Sequence, residues 1–261
     1  MQTISSCIMA LKPQLDVGES TPKTIWSYGP FLQGALLEQA SPDFAAYVHQ
    51  CPFNPYSQYC LLGENGVLRW RINALTDEAA GNLIAPLLDT PKLEITHDGK
   101  SFNLALESFE SFPLSDLTKM IYKDSQSTDA PLPKTRVRVS FLTPTSFKSQ
   151  GEYVLVPTVR LILQSLYMRY DLLNSGSKEI DEETLDYLVR HTKILDYKLR
   201  SARFANATNA GKSIPGFVGN ITFGIDGPAT AAGLIRMLLK FGEYSGVGIK
   251  TSMGMGAMVC G

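Results

Sequence analysis

The sequence predicts an α+β protein made of two tandem copies of one β-α-β-β-α-β unit, the ferredoxin-like arrangement. Three observations carry the prediction. Apolar residues alternate with period two and then recur at helical spacing, in the same order, in both halves of the chain. A polar stretch with two prolines, residues 125–133, separates the halves. A short strand-like tail follows the last helix and completes the second copy. With 261 residues, 44% of them hydrophobic and 10% aromatic, the chain can bury a core in each half. The expected domains are residues 1–124 and 134–261.

The elements of the first copy follow in order. Residues 3–11 read as a strand. Residues 30–39 read as a helix, with Pro30 pre-setting its first turn and Phe31, Ala35 and Leu36 on one face. Ser41-Pro42-Asp43 caps a short second helix through about His49. Residues 58–62 and 67–74 form a strand pair around Gly63 and Gly66. Thr76, Asp77 and Glu78 open a helix carrying Ala80, Leu83, Ile84, Leu87 and Leu88. Residues 92–96 and 102–109 read as strands around the turn Asp98-Gly99.

The second copy repeats this order. In residues 136–142, Val137, Val139 and Phe141 share one strand face, and Arg136, Arg138 and Ser140 share the other. Residues 158–174 make a long amphipathic helix, and residues 181–190 a further helix inserted before two strands, 192–204 and 214–225. Pro228 starts a helix over 229–241. A glycine-rich loop and a closing strand, 257–260, end the chain.

Composition excludes several classes. No run of about 18 apolar residues exists, so no membrane-spanning helix is expected. Residues 1–13 lack a basic head and read as a strand, not a signal peptide. Cys7, Cys51, Cys60 and Cys260 form no C-x-x-C pair and read as reduced thiols of a cytoplasmic protein. The net charge of −1 conceals a split: residues 1–130 carry 8 basic against 15 acidic side chains, and residues 131–261 carry 16 against 10. The second half therefore suits an anionic partner. Its densest basic stretch holds Arg190, Lys193, Lys198, Arg200, Arg203 and Lys212.

The glycine-rich loop spaces Gly246, Gly248, Gly254 and Gly256 as G-x-G, five residues, G-x-G, with Lys250, Thr251 and Ser252 in the gap. Glycines there permit positive φ and close approach of a ligand to the backbone. Free N–H groups in such a loop can form an anion-binding nest. The order helix, loop, strand excludes dinucleotide and P-loop sites, which need strand, loop, helix.

This loop resembles the C-terminal glycine-rich loop of the repeat-processing CRISPR endoribonucleases (the Cas-six family of the RAMP superfamily). Three further stretches resemble that family in consistent order: Tyr47-Val48-His49 followed by Pro52-Phe53 and Ser57; Phe141 to Lys148, with Thr143-Pro144-Thr145 inside; and Gly216-Phe217-Val218-Gly219. The resemblance implies tandem ferredoxin-like domains and CRISPR repeat RNA as partner. It implies an early catalytic histidine, His49, assisted in many members by a tyrosine on the first helix and a nearby lysine. Tyr28 lies just before the first helix, and Tyr47 and Tyr56 are alternatives. No lysine falls between Lys23 and Lys92, so Arg69 or Arg71 is the expected substitute.

The residues agree with RNA chemistry of one kind. No metal-binding His/Cys cluster, no Asp cluster and no serine-hydrolase signature is present. Metal-free RNA scission remains, in which the RNA's own 2′-OH attacks the adjacent phosphate. A neutral imidazole suits the proton transfer at pH 7. His97 sits in a turn, and His191 lies in the basic stretch. RNA contact is expected from Lys250, Thr251, Ser252 and the four loop glycines. It is also expected from Lys193, Lys198, Arg200, Arg203, Lys212, Arg136, Arg138 and Lys148. No cofactor or metal is expected; other CRISPR-associated subunits are further candidate partners, and both monomer and homodimer stay open. Two alternatives stand beside cleavage: a catalytically silent subunit that holds CRISPR RNA, and a small-molecule domain with no RNA role.

Overall fold

The computed structural model describes residues 2–13, 25–51, 53–63, 66–89, 94–97, 100–123, 135–177, 179–205 and 213–261, with residues 12–13, 94–97, 100–102, 120–123 and 205 described as backbone only. The expected linker, 125–133, and Lys212 lie outside the described residues. Two antiparallel sheets organise the molecule. The first has strand order β2-β3-β1-β5-β4, from β1 (Thr3–Pro13), β2 (Tyr56–Leu62), β3 (Leu68–Ala74), β4 (Glu94–His97) and β5 (Lys100–Pro113). The second has order β11-β6-β10-β9, from β6 (Thr135–Thr145), β9 (Thr192–Ala205), β10 (Ser213–Ile225) and β11 (Met258–Cys260). Both place the first strand of the unit between its third and last, the ferredoxin-like order. The first adds β4 at one edge.

Period-two alternation decides which face of the first sheet is covered. Cys7, Met9 and Leu11 of β1 and Leu68, Trp70 and Ile72 of β3 point to one side. There they pack under α1 (Tyr28–Glu38) and α2 (Pro42–Gln50). The same core receives Ala79, Leu83, Ile84 and Leu87. These come from α3 (Asp77–Ala79), which passes through a π-helical stretch, Ala80–Ile84, into α4 (Ala85–Asp89). Thr76 caps it as expected, its hydroxyl accepting from the Ala79 N–H at 3.1 Å.

The second core lies under α6 (Val159–Ser175) and α8 (Ala229–Ser245), against Val139, Phe141, Phe217, Ile221 and Phe223. The inserted helix, α7 (Glu182–Arg190), adds Leu185 and Leu188. Each buried side chain of this size contributes about 1.5–3 kcal/mol, so the two cores set the stability.

Three features depart from the sequence reading. Helix α5 (Leu114–Lys123) follows β5 directly and contributes Leu114 and Leu117 to the second core, so the units share packing. A hairpin of β7 (Phe147–Ser149) and β8 (Glu152–Val154) follows β6. Tyr28, expected before α1, begins it. The units also meet through polar groups on the other face of the first sheet. Ser57 donates to the Tyr244 carbonyl, Asn73 donates to Ser57 at 3.0 Å, and Arg71 lies 5.3 Å over the Tyr244 ring. Among the described residues no helix is long and apolar enough to cross a membrane.

Candidate active site

The glycine-rich loop is held rigidly by its own backbone. Gly246, Gly248, Gly254 and Gly256 all take positive φ, 64°, 80°, 100° and 71°. A side chain is excluded at two of them for space as well: a Cβ on Gly248 would lie 2.2 Å from the Ser146 carbonyl oxygen, and one on Gly256 2.0 Å from that of Val247. The loop spends most of its donors internally. Val247 N–H bonds the Gly256 carbonyl at 2.9 Å, Ile249 N–H that of Ser146 at 3.0 Å, and Gly256 N–H that of Pro144 at 3.1 Å. Gly248 N–H bonds the Ser165 hydroxyl at 2.8 Å. Among the described residues, the N–H groups of Lys250, Thr251 and Ser252 have no acceptor. Lys250 itself sits in the left-handed region at φ 57°.

The four loop glycines differ in what they border. Gly246, Gly254 and Gly256 are buried and shape the backbone; of the four, Gly248 alone lines the cavity described next. Thr251 and Ser252 are also buried, and their hydroxyls act first as tethers.

The Thr251 hydroxyl accepts from Arg169 within the second domain, and the Ser252 tethers run to the first. The Ser252 hydroxyl accepts from Gln33 at 3.1 Å and from Asn54 at 2.5 Å. Gln58 bonds three ways: it accepts from the Trp70 N–H at 2.6 Å and donates to the Gly29 carbonyl at 2.7 Å and the Ser252 carbonyl at 2.9 Å. Gly29 lets α1 approach the loop. A Cβ there would lie 2.0 Å from the Met253 carbonyl oxygen, which belongs to backbone and cannot swing aside. Gly29→Ala should therefore push the loop off α1 and cost about 1–3 kcal/mol, read as a lower midpoint in thermal unfolding. An unchanged midpoint would contradict this packing.

Helix α2 brings the histidine. The Ser41 hydroxyl caps it, accepting from Phe44 N–H at 3.3 Å, and Pro42 opens its first turn. Phe44 and Val48, four residues apart, are buried in the first core. His49, about 100° further round the helix, is turned off that face and exposed. Among the described residues its ring nitrogens have no hydrogen-bond partner. Cys51 N–H bonds back to the Tyr47 and Val48 carbonyls and ends the helix there.

His49 and the loop border one cavity of about 470 Å³. Gln33, Phe53, Asn54 and His49 come from the first domain; Arg169, Gly248, Lys250, Thr251 and Ser252 come from the second. Among the described residues two cations and no carboxylate line it, so its potential favours an anion.

The other expected site residues lie elsewhere. Arg69 is on the face of the first sheet opposite α2, because it neighbours Leu68 and Trp70 on a strand and period two turns it away. It pairs with Glu107 at 2.7 Å. Arg71, on the same face, pairs with Glu110 at 3.2 Å. Neither borders the His49 cavity. Tyr28 is half-buried against the first core and does not line it either. Tyr56 is fully buried, and burial pushes its hydroxyl up to about 12, while it accepts from Gln33 at 3.0 Å. Tyr47 lines a neighbouring cavity of about 450 Å³. His191 caps the C-terminus of α7, just before β9, and pairs with Asp226 at 3.3 Å.

The basic residues divide by strand parity. The register puts Arg136 and Arg138 of β6 beside Gly224 and Thr222 of β10, and Lys193, Lys198 and Arg200 of β9 beside Gly224, Asn220 and Val218. These five share the face of the second sheet opposite α6 and α8. Lys193 is engaged by Asp226 at 3.1 Å. Arg203 has the other parity, and it donates to the Ser213 hydroxyl at 3.2 Å. Lys148 is exposed on the β7–β8 hairpin.

Arg169, Gln33, Asn54 and Gln58 escaped the sequence reading. One signal was available for Arg169: it interrupts the apolar stripe Ile162, Leu166, Leu173 at helical spacing.

Two ferredoxin-like domains joined across a cationic cleft, with a histidine on one wall and a glycine-rich loop on the other, define the class. The comparisons agree. The sequence pattern described as CRISPR-associated endoribonuclease Cas6 matches residues 139–258. The CRISPR-associated endoribonuclease Cas6 of Mycobacterium tuberculosis is 38% identical over 233 residues, covering 88% of this chain and 70% of that protein. Its counterpart of Streptococcus thermophilus is 37% identical over 226 residues, covering 86% and 88%. A solved Cas6 product complex shares the fold with a TM-score of 0.72 at 22% identity, over 99% of each chain. The chain belongs to the Cas6 family of CRISPR-associated endoribonucleases.

Proposed function

We propose that this protein cleaves CRISPR precursor RNA within its repeats by attack of the RNA's own 2′-OH, with His49 as the proton-transferring residue and no metal ion. The observation that carries the reading is the shared cavity: a partner-free imidazole and the glycine-rich loop border one anion-favouring space.

The chemistry is balanced without water. The 2′-oxygen bonds to the adjacent phosphorus, and the bond from phosphorus to the 5′-oxygen of the next nucleotide breaks. The 2′-OH proton leaves to a base, and the departing 5′-oxygen gains a proton. The products carry a 2′,3′-cyclic phosphate and a 5′-OH. An imidazole can hold either proton at a ring nitrogen at neutral pH. The phosphorane between reactant and product bears extra negative charge, which fixed donors stabilise best. Lys250 and the unspent N–H groups of residues 250–252 supply such donors. Arg136, Arg138, Lys198 and Arg200 would hold the flanking strand by its phosphates.

The test is a repeat RNA incubated with the protein in excess EDTA, beside a substrate with a 2′-deoxy nucleotide at the cleaved position. The expected result is undiminished cutting of the first, none of the second, and cyclic-phosphate ends. Loss of cutting in EDTA, or cutting of the deoxy substrate, would overturn the mechanism. Tight repeat binding with no cutting at any pH would select the silent RNA-holding subunit.

A further inference from the structure

Among the described residues, Arg169 is a buried charge with no counter-charge. It sits on α6, only 5% exposed, on the wall shared by the His49 cavity and its neighbour. Its guanidinium donates from Nη1 to the Thr251 hydroxyl at 3.0 Å and from Nη2 to the Gly248 carbonyl at 2.6 Å. Its plane lies 5.1 Å over the Phe53 ring. All of these partners are neutral. Among the described residues no carboxylate pairs with it, and its Nε is buried without an acceptor.

A guanidinium has five N–H donors, and two are spent on the loop. A buried charge normally needs an opposite charge to offset its lost hydration. Burial draws the Arg169 guanidinium down to about 10, which leaves it protonated at neutral pH. The free protein thus keeps a cation in a desolvated wall, beside a cavity that holds no carboxylate among the described residues.

We propose that Arg169 is a phosphate-binding residue: a phosphodiester of the bound RNA, next to the one being cleaved, supplies its missing counter-charge at the junction of the two cavities. The proposal rests on the RNA-cleavage reading and adds a residue that positions the strand from the second domain. The same guanidinium holds the loop through Thr251 and Gly248. Strand and loop are therefore fixed by one group, in register with His49 on the facing wall.

The experiment compares the unmodified protein, Arg169→Met and Arg169→Lys for binding to 2′-deoxy repeat RNA across a series of salt concentrations, with single-turnover cleavage and thermal unfolding measured alongside. Arg169→Met should weaken binding and flatten the plot of log affinity against log salt by about 0.7, the value for one lost phosphate contact on a single strand. Arg169→Lys should restore most of the slope, since charge returns without the planar fork. A purely structural residue would lower the unfolding midpoint and leave the slope unchanged; that result overturns the proposal. If neither variant folds, the unmodified protein decides by nuclear magnetic resonance: RNA binding should shift the Arg169 Nε–H signal and slow its exchange, and an unmoved signal overturns the proposal. Failure of the unmodified protein to bind or cut repeat RNA would sink the functional reading itself. Binding and cutting with Arg169→Met identical to the parent would sink this inference alone.

Discussion

His49→Ala should lower single-turnover cleavage of repeat RNA by about 10²–10⁴-fold, the range for loss of a positioned general acid or base, while the RNA affinity stays that of the parent. The separation follows from where the residue sits. His49 is exposed on α2 and makes no hydrogen bond among the described residues, so its removal breaks no tether and opens no core cavity. The cations that would carry affinity lie on the second domain: Lys250 in the loop, and Lys198, Arg200, Arg136 and Arg138 on the sheet. Cleavage and filter binding on the same preparation check this. A variant that cuts at the parent rate would remove His49 from the mechanism. One that loses binding in step with cutting would make it a contact residue.

Gln58→Met should produce the largest loss of stability, about 3–5 kcal/mol, since buried polar groups left without partners cost about 1–3 kcal/mol each. The Trp70 N–H and the Ser252 carbonyl lose theirs at once, and the Gly29 carbonyl, in the first turn of α1, keeps only its helical bond. Gln58 is 1% exposed and Trp70 fully buried, so water cannot replace the missing amide. Methionine keeps the volume, which separates the polar loss from a packing loss. At about 2–4 °C per kcal/mol for a chain of this size, thermal unfolding should fall by roughly 10 °C. A shift near zero would show that the amide does not join the first core to the loop. Cleavage by the folded fraction should also fall, because the Ser252 end of the loop loses one of its anchors to the histidine's domain.

The order of elements was legible because each carries a local cause. Ser41 and Thr76 cap helices where the sequence places them, and Val137, Val139 and Phe141 alternate as a half-buried strand must. The β7–β8 hairpin was not legible, since strands of three residues are too short for a period to register. Helix α5 was missed because its apolar positions, Leu114 and Leu117, serve the core of the other unit.

The site was legible in its two ends and not in its joints. His49 stood out as a histidine before a proline-broken segment, and the loop by glycine spacing. Arg69 lies on the sheet face away from the His49 cavity, which composition does not report; the neighbours Leu68 and Trp70 contained that information. The loop glycines were read as ligand contacts because sequence shows that glycine permits positive φ, not whether the neighbouring N–H groups are already spent. Gln33, Asn54 and Gln58 are ordinary amides until the fold brings them to Ser252.

The account stands on one cleft built by both domains around a single phosphodiester. Its most direct test is photo-crosslinking of uncleavable 2′-deoxy repeat RNA that carries one thiouridine beside the scissile phosphate. The prediction is that crosslinked peptides come both from α2, containing His49, and from the loop between Gly246 and Gly256. Crosslinks confined to one domain would contradict it.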